Sequence, residues 1–145
     1  MPVDRAFVEQ NRAQTERMKQ LVARLSDDDF KHPVGEHWNV GVALAHLAFW
    51  DSLVLNVLDA SEREGKVVAP PIDLAVNDIS LPLWYAIPPR EAARLAIDLA
   101  EKIDQRLESL SPELVEQIVA FNPRYLHRSI HRTEHLGDVE QALKG

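Results

Sequence analysis

The chain has 145 residues, 46% of them hydrophobic and 27% charged, which is enough for one domain over residues 1–145 with one core. Its net charge of −7 disfavours nucleic acid as a partner, because phosphate binding needs a basic surface. The chain has no cysteine, which excludes disulfides, cysteine ligands to zinc and a cysteine nucleophile. Since no run reaches the roughly 18 apolar residues of a membrane span and the amino terminus resembles no signal peptide, we expect a cytoplasmic protein without a membrane partner.

The first predicted helix begins after Asp4, which can act as its N-cap, and runs to about Leu25. Apolar residues at helical spacing form one stripe along it, and Asn11 and Thr15 continue that stripe with polar side chains. A cap and a short turn follow. Residues 32–38 are then predicted as a loop, because they contain a proline and a glycine.

The second predicted helix begins at Val40, after the favourable N-cap residue Asn39, and runs to about Arg63. Its apolar stripe contains His46 at a position where an apolar side chain is expected. A buried polar group without a partner costs roughly 1–3 kcal/mol, so another part of the core must supply a partner for this imidazole.

The segment from Gly65 to Ile87 shows no helical period and contains three prolines. We predict a long crossover without regular structure here, joining the second helix to the third. Loops of this length are uncommon in a small domain and often have a function. A segment that covers one end of the helices is the favoured interpretation, and a lid or a dimer contact is the alternative.

The third helix is predicted from near Pro89 to about Leu110, with Asp104 on its solvated side. A short capped helix follows. The Asn122-Pro123 pair then opens the last long helix, which runs to about Leu143. The pattern therefore predicts four long helices with one long crossover between helices 2 and 3, and no strand signal of comparable strength.

The last helix carries His127, His131 and His135 at positions i, i+4 and i+8. Residues four apart lie one above the other on a helix, with Cβ atoms about 5–6 Å apart, so two of these imidazoles can bind one metal ion. His46 on the second helix is the natural third ligand. Three neutral imidazoles leave a coordination position open for water or substrate, which is typical of a catalytic metal site.

Two alternatives for the last helix follow from the same residues. His127 has the same spacing from His131 as His135 has, so His127 can replace His135 as a ligand. The three histidines can also form a solvated stripe that pairs with Glu134 and Asp138, because histidines four apart occur on many helices by chance.

Two stretches resemble a known family. From Trp38 to Asp51 the chain reads WNVGVALAHLAFWD, which is similar to the second-helix signature of the DinB-like superfamily, in the form seen in the amino-terminal domain of mycothiol-dependent maleylpyruvate isomerases. Near the end it reads HRTEHLGDVEQAL, which resembles the HxxxH stretch of that superfamily's last helix. The resemblance implies an all-α four-helix bundle with a three-histidine metal site formed by His46, His131 and His135.

The resemblance also implies a metal and a reaction. Family members of this type bind zinc or nickel, and some are thiol-dependent transferases or isomerases in which the metal binds the thiolate of mycothiol or bacillithiol. A divalent cation stabilises a thiolate, which is the nucleophilic form of a thiol. We therefore expect a metal-dependent thiol S-transferase or isomerase, most simply a homodimer, whose partners are a small-molecule thiol and a substrate.

Two other functions are open. The metal could activate a bound water and give a small hydrolase, or the chain could be a non-catalytic dimeric helical module. Asp51, Glu134 and Asp138 are candidates to orient a ligand imidazole, although a surface salt bridge with Arg128 or Arg132 is the favoured interpretation for them. The two arginines could bind a carboxylate of the cofactor or substrate, with plain solvation again favoured.

Overall fold

The computed structural model describes residues 4–145, and most of these residues are helical. The helices, in chain order, are α1 (Ala6–Ala23), α2 (Asp27–Lys31), α3 (Val40–Glu64), α4 (Ala75–Ala86), α5 (Pro89–Glu108), α6 (Pro112–Phe121) and α7 (Arg128–Lys144). The all-helical class predicted from the sequence is confirmed.

A short antiparallel ribbon joins α2 to α3. Its strands are β1 (Pro33–Val34) and β2 (Trp38–Asn39), and they pair in the register Pro33 with Asn39 and Val34 with Trp38. The predicted loop over residues 32–38 is therefore partly paired.

The four longest helices pack against one another in pairs. α3 packs against α5 and α7, and α1 packs against the same two helices. Two clusters of buried apolar side chains fill the space between them, one around Leu44 and Ala96 and the other around Leu58 and Ile103. The faces of α3 and α7 that meet in this interior are the faces on which the histidines were predicted.

The helix α3 begins at the predicted signal and ends at Glu64, one residue past the predicted Arg63. The Asn39 side chain accepts a hydrogen bond from the Val42 amide at 2.8 Å, which confirms the predicted N-cap. Gly65 ends the helix with φ of 72°, a left-handed conformation that favours glycine. By length and composition Val40–Glu64 could cross a membrane, but 72% of its most apolar 18-residue stretch is buried inside the protein, as in a core helix.

The prediction of a crossover without regular structure from Gly65 to Ile87 is wrong, because this segment contains α4. Asp73 favours the start of α4, since its carboxylate accepts a hydrogen bond from the Ala75 amide at 2.9 Å. Pro82 lies inside the helix, where it removes one backbone donor, and the helix continues to Ala86.

The apolar side chains of α4 do not form one stripe, which explains why its helical period is hidden in the sequence. Trp84 is buried against the core, whereas Ile79 and Leu83 are 73% and 68% exposed. An apolar period indicates a helix only when one face is buried and the other is polar.

The last long helix begins at Arg128 and not at the predicted Asn122-Pro123 pair. Pro123–Tyr125 instead form a 3-10 turn, and His127 lies just before α7. His127 therefore does not continue the helical spacing of His131 and His135.

The start of α7 depends on a side chain of α1. The Asn11 amide is fully buried, and it donates a hydrogen bond to the Leu126 carbonyl and accepts one from the Ser129 amide, both at 2.8 Å. Because α7 has no side-chain cap of its own, Asn11 acts as its cap from another helix. This contact fixes the register of α7 against α1.

Candidate metal centre

Three histidines from two helices meet in the interior. His46 lies on α3 and is 3% exposed, while His131 and His135 lie one turn apart on α7. Each offers one possible ligand atom, and these atoms all lie within 4.8 Å of one another. The Nε2 atoms of His46 and His131 are 2.9 Å apart, and the ring centroids of His46 and His135 are 4.5 Å apart. The group could hold a metal ion.

All three tryptophans of the chain surround His46. The centroid of the His46 ring lies 4.6 Å from Trp38, 6.4 Å from Trp50 and 5.3 Å from Trp84. Sequence reasoning did not assign these residues to the site. Trp50 follows His46 by four residues, which could have placed it on the same helical face, but Trp84 lies on the helix that the sequence did not predict.

Burial keeps the imidazoles uncharged. Desolvation, followed by the charges of His135 and Arg128, lowers the pKa of His46 from 6.5 to about 3. Desolvation, followed chiefly by the charge of Arg128, lowers the pKa of His131 to about 2. The pKa of His135 is also lowered, again mainly by burial. At neutral pH the three rings therefore keep the nitrogen lone pairs that a metal needs.

The hydrogen bonding of His46 shows that the residues fit a metal ion. Its Nδ1 is buried without a hydrogen-bond partner among residues 4–145, and its Nε2 faces the Nε2 of His131. An ion among the rings would bind the lone pairs of the two Nε2 atoms that face each other, while the Nδ1 of His46 lies on the other edge of its ring and does not bind the same ion. Imidazole nitrogen is also a ligand that suits zinc and nickel, and three such ligands leave a position open.

A buried network of charges lies next to the imidazoles. The Asp51 carboxylate accepts hydrogen bonds from Arg128 Nε at 2.9 Å and from Arg132 Nη2 at 3.3 Å. The Asp104 carboxylate accepts one from Arg132 Nη1 at 2.9 Å. The four side chains are at most 8% exposed. Two positive and two negative charges thus balance one another inside the protein.

The sequence predictions for these four residues are wrong about their surroundings. The pairing of Asp51 with arginine is buried and not at the surface, and Asp104 does not lie on a solvated side. Thr15 of α1 joins the network, since its hydroxyl donates to Asp104 at 2.6 Å and accepts from Arg132 at 2.9 Å. A charged face looks the same in sequence whether it meets water or opposite charges from another helix.

The acidic residues that were candidates to orient an imidazole lie at different depths. Asp51 reaches the histidines only through Arg128, whose Nη2 lies 3.5 Å from His131 Nδ1. An Asp138 oxygen lies 3.9 Å from His135 Nδ1, but its side chain is 60% exposed. The buried pair of Asp51 and Arg128 is therefore better placed than the exposed Asp138 to position an imidazole ring.

A cavity of about 570 Å³ opens beside the imidazoles. Its wall includes His46, His131, His135 and also His127. The His127 ring packs edge-on against Phe7 at a centroid distance of 5.7 Å and does not join the group of three. Among the alternatives that spacing left open, the structure thus brings His135, and not His127, to the other two histidines.

A family model described as the DinB superfamily matches residues 10–139, a range that includes the three histidines and the buried charges. The chain belongs to the DinB superfamily. No curated protein and no solved structure compared with this DinB-superfamily chain gives a significant match. The mycothiol-dependent subtype stays a prediction.

Without bound metal, this DinB-superfamily protein is expected to lose stability as the pH falls below 6.5. The unfolded chain takes up protons on its histidines near pH 6.5, whereas folded His46 resists protonation down to about pH 3. The unfolded state therefore binds more protons in this window, and each such histidine lowers the free energy of unfolding by up to about 1.4 kcal/mol per pH unit. The metal is first removed with a chelator. Urea unfolding at several pH values between about 7 and 5 then measures how the free energy of unfolding changes with pH.

Other groups also titrate in this range, so the comparison needs a matched variant. His46→Asn removes one buried imidazole and is expected to make the profile shallower than that of the unchanged chain. Identical slopes for the two proteins would contradict the burial of a neutral His46.

Proposed function

We propose that His46, His131 and His135 bind a divalent metal ion, zinc or nickel, and that the chain is a thiol S-transferase or a thiol-dependent isomerase. The observation that carries this proposal is the convergence of three neutral imidazoles on the wall of a cavity. When bound, the metal would stabilise the thiolate of a low-molecular-weight thiol such as mycothiol or bacillithiol.

The residues of the chain supply the rest of the site. Trp84 is buried against His46 and does not line the cavity, whereas Trp38 and Trp50 line the cavity together with the imidazoles. A volume of about 570 Å³ falls within the usual range for small-molecule sites, so a thiol and part of a second substrate fit together. The chain has no cysteine, so the thiol comes from outside.

The proposal includes the four-helix bundle predicted from the sequence, which the packing of α1 and α3 against α5 and α7 supports. It also includes a homodimer, supported by the exposed apolar side chains of Ile79 and Leu83. A cytoplasmic location and the absence of a nucleic-acid partner stay predictions.

Metal content is the first test of the proposed function. The protein is purified without a histidine tag, incubated with zinc or nickel, dialysed and analysed for bound metal. We expect about one ion per chain, as for other three-histidine sites. Protein that retains no divalent metal even after this incubation would exclude both metal-dependent functions and leave the non-catalytic module.

A thiol panel then separates the transferase from the hydrolase. The metal-loaded protein is assayed with several low-molecular-weight thiols and an electrophilic acceptor, and in parallel with esters and amides without thiol. We expect turnover that depends on both thiol and metal. Hydrolysis that needs no thiol would favour the alternative, a metal-dependent hydrolase.

A further inference from the structure

Arg124 carries a positive charge on the cavity wall. Among residues 4–145, two arginines line this cavity, Arg124 and Arg128. The buried pairing with Asp51 neutralises Arg128, so that side chain is not free to bind a ligand. The Arg124 guanidinium forms no ion pair and no side-chain hydrogen bond with residues 4–145. The carboxylate-binding role that the sequence offered to Arg128 is therefore open to Arg124.

The backbone of Arg124 is held on both sides. Its amide donates a hydrogen bond to Asn122 Oδ1 at 3.0 Å, and its carbonyl accepts one from Arg128 Nη1 at 3.2 Å. The residue also belongs to the 3-10 turn Pro123–Tyr125. A fixed backbone lowers the entropy lost when the side chain binds a ligand.

The cavity wall carries charges of both signs. Arg124 and Glu134 line it together with the three imidazoles. An anionic group in the cavity is therefore attracted by Arg124 and repelled by Glu134.

We propose that Arg124 binds a carboxylate of the ligand whose thiol reaches the imidazoles, and so selects anionic thiols over neutral ones. This inference rests on the proposed function of the site. A guanidinium binds a carboxylate through two parallel hydrogen bonds, and a neutral amide of the same shape cannot form the same charged pair. The apolar part of such a ligand would lie against Leu53, Ile72 and Leu74, which line the same cavity.

The test compares 3-mercaptopropionate with its uncharged analogue 3-mercaptopropionamide. Calorimetric titration of the zinc-loaded protein gives the Kd of each thiol. We expect the carboxylate to bind more tightly, and Arg124→Gln to weaken its binding by about 10- to 100-fold while the Kd of the amide stays nearly unchanged. Glu134→Gln is expected to tighten binding of the carboxylate only.

The matched control is Arg63→Gln, which removes an exposed arginine that does not line the cavity. It is expected to change neither Kd. Two results would overturn the role assigned to Arg124 and leave the proposed function of the site standing. They are equal binding of the two thiols by the unchanged protein, and an equal loss of affinity for both thiols in Arg124→Gln. Protein that binds no zinc, or binds zinc but neither thiol, would overturn the proposed function and this inference with it.

Discussion

Replacement of His46 by alanine is expected to weaken zinc binding by more than about 100-fold, because even the outer partners of metal ligands contribute 10- to 100-fold. The variant loses the one ligand that comes from α3, so the pair on α7 is left without its third imidazole. Competition with a chromophoric chelator measures the affinity, and far-ultraviolet circular dichroism shows whether the helices persist.

His127→Ala is the matched control for this experiment. His127 lies on the wall of the same cavity but outside the group of three, so we expect its removal to change zinc affinity by no more than about 3-fold. If His46→Ala fails to fold, His135→Ala provides the test, because His135 is only partly buried. Equal effects of removing His127 and a member of the group would contradict the proposed ligand set.

Asp51→Ala is expected to lower the free energy of unfolding by about 3–5 kcal/mol, as is typical when one partner of a buried ion pair is removed. Asp51 binds both Arg128 and Arg132, so its loss leaves two buried guanidinium groups with Asp104 as their remaining buried carboxylate. Urea denaturation at neutral pH gives the change in stability.

A surface aspartate provides the control for Asp51. Asp59 pairs with Arg106, but its side chain is 53% exposed, so Asp59→Ala is expected to change the stability by less than about 1 kcal/mol. Similar losses for the two variants would show that the Asp51 network is not desolvated.

We expect Asp51→Ala to weaken metal binding as well, because Arg128 lies between Asp51 and His131. A partner of this kind positions a ligand without binding the metal, and its loss is expected to weaken zinc binding by about 10-fold or more, less than the loss of His46. The same chelator competition measures this effect.

Local signals in the sequence predicted much of the fold. Each of α1, α3 and α5 buries one face on which most side chains are apolar, and apolar side chains recur at helical spacing on such a face. Asn39 at the start of α3 and Gly65 at its end act through hydrogen bonds to residues within one turn, so both ends could be read from the chain alone. His46 could be found in the same way, as a polar side chain on an apolar face.

Contacts between distant segments explain what the sequence did not predict. The helix α4 is half exposed and contains a proline, so no period marks it, and its burial of Trp84 depends on the faces of other helices. The end of the 3-10 turn before α7 depends on Asn11, which lies 115 residues before the carbonyl it binds. This turn moves His127 out of helical register with His131.

The candidate metal site combines both kinds of information. The histidines and their helices follow from composition and period, because those depend on neighbours a few residues away. Whether His135 or His127 faces His46, and whether Asp104 and Arg132 meet water or each other, depends on how four helices pack. His46 and His131 are 85 positions apart in the chain, and only the folded interior brings their nitrogens to 2.9 Å. Desolvation in that interior, which no local pattern records, makes the imidazoles neutral and the buried charges interdependent.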